Sequence, residues 1–375
     1  MAKAAEFIKR RIAQRVADGS LRELSTSLRP IDFCSNDYLG FATSPDLQSA
    51  IHAESMKQGP LPIGSGGSRL LSGNTAYAEA TEKYIANFYN AEAGLIFNSG
   101  YDANIGLLSS LGHRGDTFIC DELIHASLID GVRLTHANRY TFKHNDLEQL
   151  EDKLKHAKGI IYVVVESVYS MNGDLAPLLQ IANLCKSFGA NLIVDEAHAT
   201  GVLGAYGRGL VQALSVEDLV FARIATFGKA IGCHGAIVLG SEDLRRYLIN
   251  FARSFIYTTA APLHNIIAVN CAYRMLEKGD YVKELQRRIA YFSELATHFN
   301  IKELLPVPSA IQTITIPGNQ KVKNVALKLQ TLGFDVRPIL SPTVAIGAER
   351  LRICLHLYNT EDEIRQLLLQ LQELV

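Results

Sequence analysis

Residues 191–198 read Asn191-Leu192-Ile193-Val194-Asp195-Glu196-Ala197-His198. A short apolar run ends on a carboxylate, and an imidazole follows three residues later. Open α/β sheets place their ligand-binding groups at strand ends of this kind. Further on, the apolar run 222–227 leads into Gly228-Lys229, so an aspartate and a lysine stand at the ends of successive apolar runs. The same texture extends outward in both directions. Residues 94–97, 117–121, 159–165 and 236–239 are short apolar runs, and 159–165 is apolar almost throughout, as a strand buried on both faces must be. Helical patterns separate them. Residues 147–157 put Leu147, Leu150 and Leu154 on one face, and 177–188 open on Pro177 and close before Gly189. This alternation predicts an α/β fold with a mostly parallel sheet.

After about residue 244 the pattern changes. Helical stretches at 244–251 and 282–299 precede a β-rich piece at 310–316, a helix at 323–332 and a strand at 351–355. The last helix opens with a Thr360/Glu363 capping box and lines Ile364, Leu367, Leu368, Leu371 and Val375 on one face. The expected organisation is an N-terminal arm (1–45), a large α/β domain (46–245) and a smaller α+β C-terminal domain (246–375).

Composition excludes several classes. Of 375 residues, 48% are hydrophobic and 20% charged, which suits a packed core and not a disordered chain. The 37 basic and 38 acidic residues leave a net charge of −1, with no field to attract a phosphate backbone. Lys9, Arg10, Arg11 and Arg15 cluster, but Glu6 and Asp18 flank them, which fits a solvated helix face better than a nucleic-acid arm. No apolar run approaches the ~20 residues of a spanning helix, and the N-terminus lacks an apolar signal region. The six cysteines are scattered with no CxxC pair, against a zinc ribbon or a secreted disulfide framework. Reduced thiols in a cytoplasm, and no metal site, are the expectation.

Two familiar strings carry little. Asp195-Glu196-Ala197-His198 is the DEAH string of helicases, yet no GxxxxGK[ST] phosphate loop accompanies it. Gly64-Ser65-Gly66-Gly67-Ser68 is glycine-rich but follows no strand, so it is a weak dinucleotide fingerprint. Asp195 with Lys229 carries more. A lysine amine can form a Schiff base with an aldehyde cofactor, and a carboxylate keeps a facing pyridine nitrogen protonated, which makes the ring an electron sink. The competing assignment makes Lys229 a surface lysine and Asp195 a helix cap. Asn98-Ser99-Gly100-Tyr101 follows an apolar run and opens a helix, a place suited to phosphate, with Gly100 allowing close approach. His125, after the run 117–121, either stacks on a cofactor ring or caps a helix.

Seven motifs then occur in order: Asn36-Asp37-Tyr38-Leu39-Gly40, Gly64-Ser65-Gly66-Gly67-Ser68-Arg69, His125-Ala126-Ser127-Leu128, His144-Asn145-Asp146, Glu166-Ser167-Val168-Tyr169-Ser170-Met171-Asn172-Gly173-Asp174, Asp195-Glu196-Ala197-His198-Ala199-Thr200-Gly201 and Thr226-Phe227-Gly228-Lys229. Together they resemble the α-oxoamine synthases, fold-type I pyridoxal phosphate enzymes, from about Asn36 to the C-terminus. The resemblance implies an aspartate-aminotransferase-like fold with pyridoxal 5'-phosphate held by Lys229, Asp195 at the ring nitrogen, His198 and Ser170 near the phenolic oxygen, and His125 on the ring face. It implies a phosphate held by Gly100, Tyr101 and Thr226, and a homodimer in which Thr258 or Thr259 reaches the neighbouring subunit's phosphate. Asn36 and Glu166 would line the substrate pocket, Arg352 would grip the substrate carboxylate, and Arg22 matches an arginine of the family's N-terminal arm. For Arg352 an ion pair on a small-domain strand is the alternative. The implied reaction is a decarboxylative Claisen condensation of an amino acid with an acyl-CoA or acyl-carrier-protein thioester. Lys229 would act as base on the α-carbon and His198 would polarise the developing carbonyl. L-alanine with a pimeloyl thioester, as in the biotin-pathway branch, is favoured. Serine with a long-chain acyl group and glycine with an acetyl group are the alternatives, beside a non-enzymatic relative of the fold, against which the intact Lys229, Asp195 and His198 argue. One departure is that Leu340 stands where the biotin branch carries an arginine before Pro342-Thr343-Val344, with Arg337 nearby.

Overall fold

The computed structural model describes residues 2–24, 26, 30–301, 303–304 and 306–375. The chain divides into two compact units: Asn36–Ser170 with Asp174–Gln286, and Met1–Ser35 with Met171–Gly173 and Arg287–Val375.

The first unit is built on a seven-stranded sheet. Its strands are β1 (Ala93–Phe97), β2 (Thr117–Asp121), β3 (Asn138–Phe142), β4 (Ile161–Glu166), β5 (Asn191–Asp195), β6 (Val220–Thr226) and β7 (Ala236–Gly240). They lie in the order β1-β7-β6-β5-β4-β2-β3. β7 pairs antiparallel with both β1 and β6, while every other pairing is parallel. The central strands are apolar because helices cover both faces, as parallel sheets require. Leu192, Ile193, Val194, Val163, Val164 and Val165 are fully buried. In register, Glu166 pairs with Asp195 and Asp195 with Ile224, so β4, β5 and β6 end side by side. Helices start from those ends: Gly100–Leu111 after β1 and Ala126–Arg133 after β2. The helix Leu178–Phe188 ends on Gly189 at φ 64, the left-handed cap that glycine accommodates without strain.

The second unit carries a three-stranded antiparallel sheet of β8 (Ile311–Thr315), β9 (Arg337–Ile339) and β10 (Arg350–Cys354), in the order β9-β10-β8. Ile31–Asp32 and Phe334–Asp335 pair in parallel beside it. The capping box of helix Glu361–Leu374 forms with both of its hydrogen bonds, and Ile364, Leu367, Leu368 and Leu371 are buried.

The division differs from the expected boundaries at 45 and 245. The large unit starts at Asn36 and runs on to Gln286, and the preceding segment groups with the C-terminal residues. Packing explains the extension. Leu244 and Leu248 of the helix Glu242–Phe251 enter the core of the large sheet. The helix Leu263–Lys278 packs on the helices Pro45–Lys57 and Ala76–Phe88. No helix among the described residues is long and apolar enough to cross a membrane.

Candidate active site

The strand ends of the large sheet surround a cavity of about 230 Å³. Gly100 and Tyr101 reach it from the helix after β1, His125 from the turn after β2, Glu166 from β4, Asp195 from β5, and Thr226 and Lys229 from β6 and the turn beyond. Each is a residue that the sequence singled out. The fold brings them to one place because parallel strands all point their carboxyl ends to the same edge.

Lys229 Nζ lies 2.7 Å from His198 Nε2. His198 Nδ1 lies 2.7 Å from Tyr38 Oη, and Tyr38 Oη donates to Asn36 Oδ1 at 3.1 Å. One set of directions satisfies every atom: the lysine donates to Nε2, and Nδ1–H donates to the tyrosine oxygen. Asp195 is buried, and both of its oxygens are engaged. Oδ1 accepts from Ala197 N at 2.9 Å and Oδ2 from Asn104 Nδ2 at 2.8 Å. Asn104 also donates to Ser127 Oγ at 2.9 Å.

His125 takes the capping part and also lies in the cavity lining. Its Nδ1 caps the helix Ala126–Arg133 by accepting from Ser127 N at 3.2 Å, and its ring lines the cavity. Burial, with Lys229 nearby, lowers its pKa against the pull of Asp195, so the ring is neutral with its proton on Nε2. Glu166 is fully buried, and burial together with the adjacent Asp195 pushes its carboxyl up to about 8. The backbone N–H groups of His125 and Ser170 oppose that rise in part, while its Oε1 has no hydrogen-bond partner among the described residues.

These residues fit pyridoxal phosphate. An amine, a buried carboxylate and a helix start surround one cavity. Ser99 caps that helix by accepting from Asp102 N at 3.0 Å, and the preceding N–H groups have no intrahelical partner. At Gly100 a Cβ would meet the Thr226 methyl at 2.8 Å, so the cradle stays open only with glycine there.

Other expected site residues lie outside the cavity lining. Ser170 is buried just beyond β4. Asn98 Nδ2 donates to the Thr259 carbonyl at 2.7 Å and to Thr258 Oγ1 at 3.2 Å. Arg22 and Arg352 belong to the other unit. There Arg22 Nη2 donates to Thr343 Oγ1 at 3.0 Å and Arg352 Nη1 to Cys354 Sγ at 2.9 Å. Tyr38 and Ser127 stand within the ordered motifs but had no role of their own there, and neither had Asn104. Asn104 carried a signal, since it stands four residues after Gly100 and hence on the same helix face.

A model of the class I and II aminotransferase family matches residues 29–371. The 8-amino-7-oxononanoate synthase of Emericella nidulans is 42% identical over 361 residues, covering 90% of this chain and 87% of that protein. A serine palmitoyltransferase solved with pyridoxal phosphate superposes with a TM-score of 0.89 at 25% identity, covering 99% of this chain and 97% of that one. The 8-amino-7-oxononanoate synthase of Francisella tularensis superposes with a TM-score of 0.78 at 32% identity, covering 92% and 97%.

Proposed function

The chain belongs to the class I and II aminotransferase family, among its α-oxoamine synthases, and on that premise we propose that it condenses L-alanine with a pimeloyl thioester. The products are 8-amino-7-oxononanoate, carbon dioxide and the free thiol carrier, a step of biotin synthesis. The protein is a pyridoxal-phosphate-dependent acyltransferase. The observation that carries the reading is the convergence of Lys229, Asp195 and the Gly100 helix start on one cavity.

When bound, the cofactor supplies an electron sink that acidifies the amino acid's α-carbon. Lys229 would hold the cofactor, and its Nζ, as a free amine, would take the α-proton. Asp195 supplies the negative charge that keeps the ring nitrogen protonated, and Asn104 fixes the orientation of that carboxylate. His125 would pack on the cofactor ring. The first N–H groups of the helix at Gly100 and Tyr101, with the Thr226 hydroxyl, hold the phosphate. With Lys229 withdrawn from Nε2, His198 would take the other tautomer, Tyr38 donating to Nδ1, so that Nε2–H is free to donate to the oxygen that gains charge as the new carbon–carbon bond forms. Ser170 supports the phenolic oxygen, and Asn36 and Glu166 face the substrate. Arg352 would pair with the amino-acid carboxylate in the bidentate manner guanidinium groups allow, with Arg22 the second candidate substrate-binding arginine. Thr259 would complete the phosphate site of a second copy, which makes the working form a homodimer, and light scattering on the purified protein tests it.

Leu340 favours a second reading, with serine and a long-chain acyl donor, because it leaves an apolar side chain where an arginine would meet a distal carboxylate. One titration separates the two. The visible absorption of the cofactor-loaded protein is recorded with L-alanine, glycine and L-serine in turn. A response chiefly to L-alanine, with product formed from a pimeloyl thioester, supports the first reading. A response chiefly to serine overturns it in favour of the second, and no visible band with added pyridoxal phosphate overturns both.

A further inference from the structure

His144 follows β3 and lies outside the cavity lining. Its Nδ1 faces the two oxygens of Asp121 at 3.1 and 3.2 Å, and its Nε2 faces Asp174 Oδ2 at 2.6 Å. Asn145 doubles the bridge. Its N donates to Asp121 Oδ2 at 2.9 Å, and its Nδ2 donates to Asp174 Oδ2 and to the Leu175 carbonyl at 3.2 Å each. A neutral imidazole has one N–H, so carboxylates on both nitrogens are satisfied only by the imidazolium. Burial pulls the other way, but the two carboxylates outweigh it and raise the ring to about 9. Tyr169 meets the ring edge-on with centroids 4.3 Å apart, and burial raises its phenol, so it stays neutral. Glu122 receives the backbone N–H of His144 at 3.1 Å and does not bond the ring.

The two carboxylates root two arms of the active site. Asp121 ends β2, and its Oδ1 accepts from Leu123 N at 2.8 Å at the start of the turn to His125. Asp174 accepts the backbone N–H of Tyr169 through its carbonyl at 3.0 Å, next to the Val168–Leu175 bridge, and so closes the turn that carries Ser170. On the cavity side, backbone N–H groups of the same two arms, those of His125 and Ser170, lie beside the Glu166 carboxyl.

We propose that His144 is a positioning residue for the cofactor site: by bridging Asp121 to Asp174 it holds the His125 arm and the Ser170 arm together. The proposal rests on the cofactor reading above. Two variants test it. His144→Gln keeps a neutral hydrogen-bonding side chain, and Asp174→Asn removes one carboxylate from a partly exposed turn, should His144→Gln fail to fold. In the cofactor-free protein, nitrogen-15 NMR of labelled histidines is expected to show one imidazole, missing from His144→Gln, that stays charged through neutral pH. Titration with pyridoxal phosphate is expected to show both variants binding roughly tenfold more weakly at neutral pH. The wild-type affinity should fall more steeply than that of His144→Gln as pH rises through about 9. A His144 ring that is neutral at neutral pH, or variants with wild-type affinity and pH profile, overturn the proposal. A wild-type protein that takes up no pyridoxal phosphate overturns the cofactor reading and the proposal together, and that control tells the two failures apart.

Discussion

A Cβ at Gly100 would strike the Thr226 methyl at 2.8 Å, which makes the proposed phosphate cradle testable with two residues. Gly100→Ala is expected to weaken pyridoxal phosphate binding by about 1–3 kcal/mol, roughly fivefold to more than a hundredfold. Adding Thr226→Ser removes the methyl, keeps the hydroxyl and should restore part of the affinity in the same titration. Lys229→Ala should carry no covalent cofactor, so borohydride reduction followed by mass spectrometry should label the wild type and leave the variant unlabelled. Tyr38→Phe removes the partner of His198 Nδ1 and is expected to lower kcat about tenfold with cofactor affinity unchanged. Lys229 and Asp195 were legible in the sequence because each stands at the end of an apolar run. Asn104 and Tyr38 were not, because their partners Asp195 and His198 lie 91 and 160 residues away and only folding brings them within hydrogen-bond reach.

Elements were legible where burial leaves a one-dimensional trace. β4 and β5 are apolar because both faces are covered, and the helix Leu178–Phe188 is bracketed by Pro177 and Gly189. Gly189 sits at φ 64 with nothing within 4 Å of an added Cβ, so Gly189→Ala should cost only conformational strain. About 1 kcal/mol is expected in a urea melt, with activity untouched. β3 escaped notice because Asn138–Phe142 lies at the sheet edge, mostly exposed, and reads as polar. The helix Leu263–Lys278 escaped because Ile266, Ile267, Val269, Ala272, Tyr273 and Leu276 bury it on several sides, which blurs its period. The bridge from β2 through His144 sets a pH dependence at this scale. A ring raised from 6.5 to about 9 adds stability that is fully present below 6.5 and is lost as pH rises through about 9. The urea midpoint of the cofactor-free wild type should therefore fall across that interval more steeply than that of His144→Gln.

At the scale of the whole molecule the cofactor binds the native state and not the unfolded chain, so loading should add stability. Pyridoxal phosphate at about 100 times its dissociation constant is expected to add about 2.7 kcal/mol, read as a higher urea midpoint than that of the stripped protein. Domain limits were only partly legible. The change of texture near residue 244 marks a change of element type, whereas the compact units divide at Gln286 because two further helices pack on the large unit. What the sequence by itself determined is the class of the molecule: alternating apolar strands and helices, a carboxylate and a lysine at strand ends, and a glycine at a helix start. Those features are local, and each is written in neighbouring residues. The tertiary structure alone decided that Asn104 holds Asp195, that Tyr38 holds His198, and that Asp121 and Asp174 share His144. Such pairings join residues far apart in the chain, and short-range periodicity carries no record of them until the strands are laid side by side.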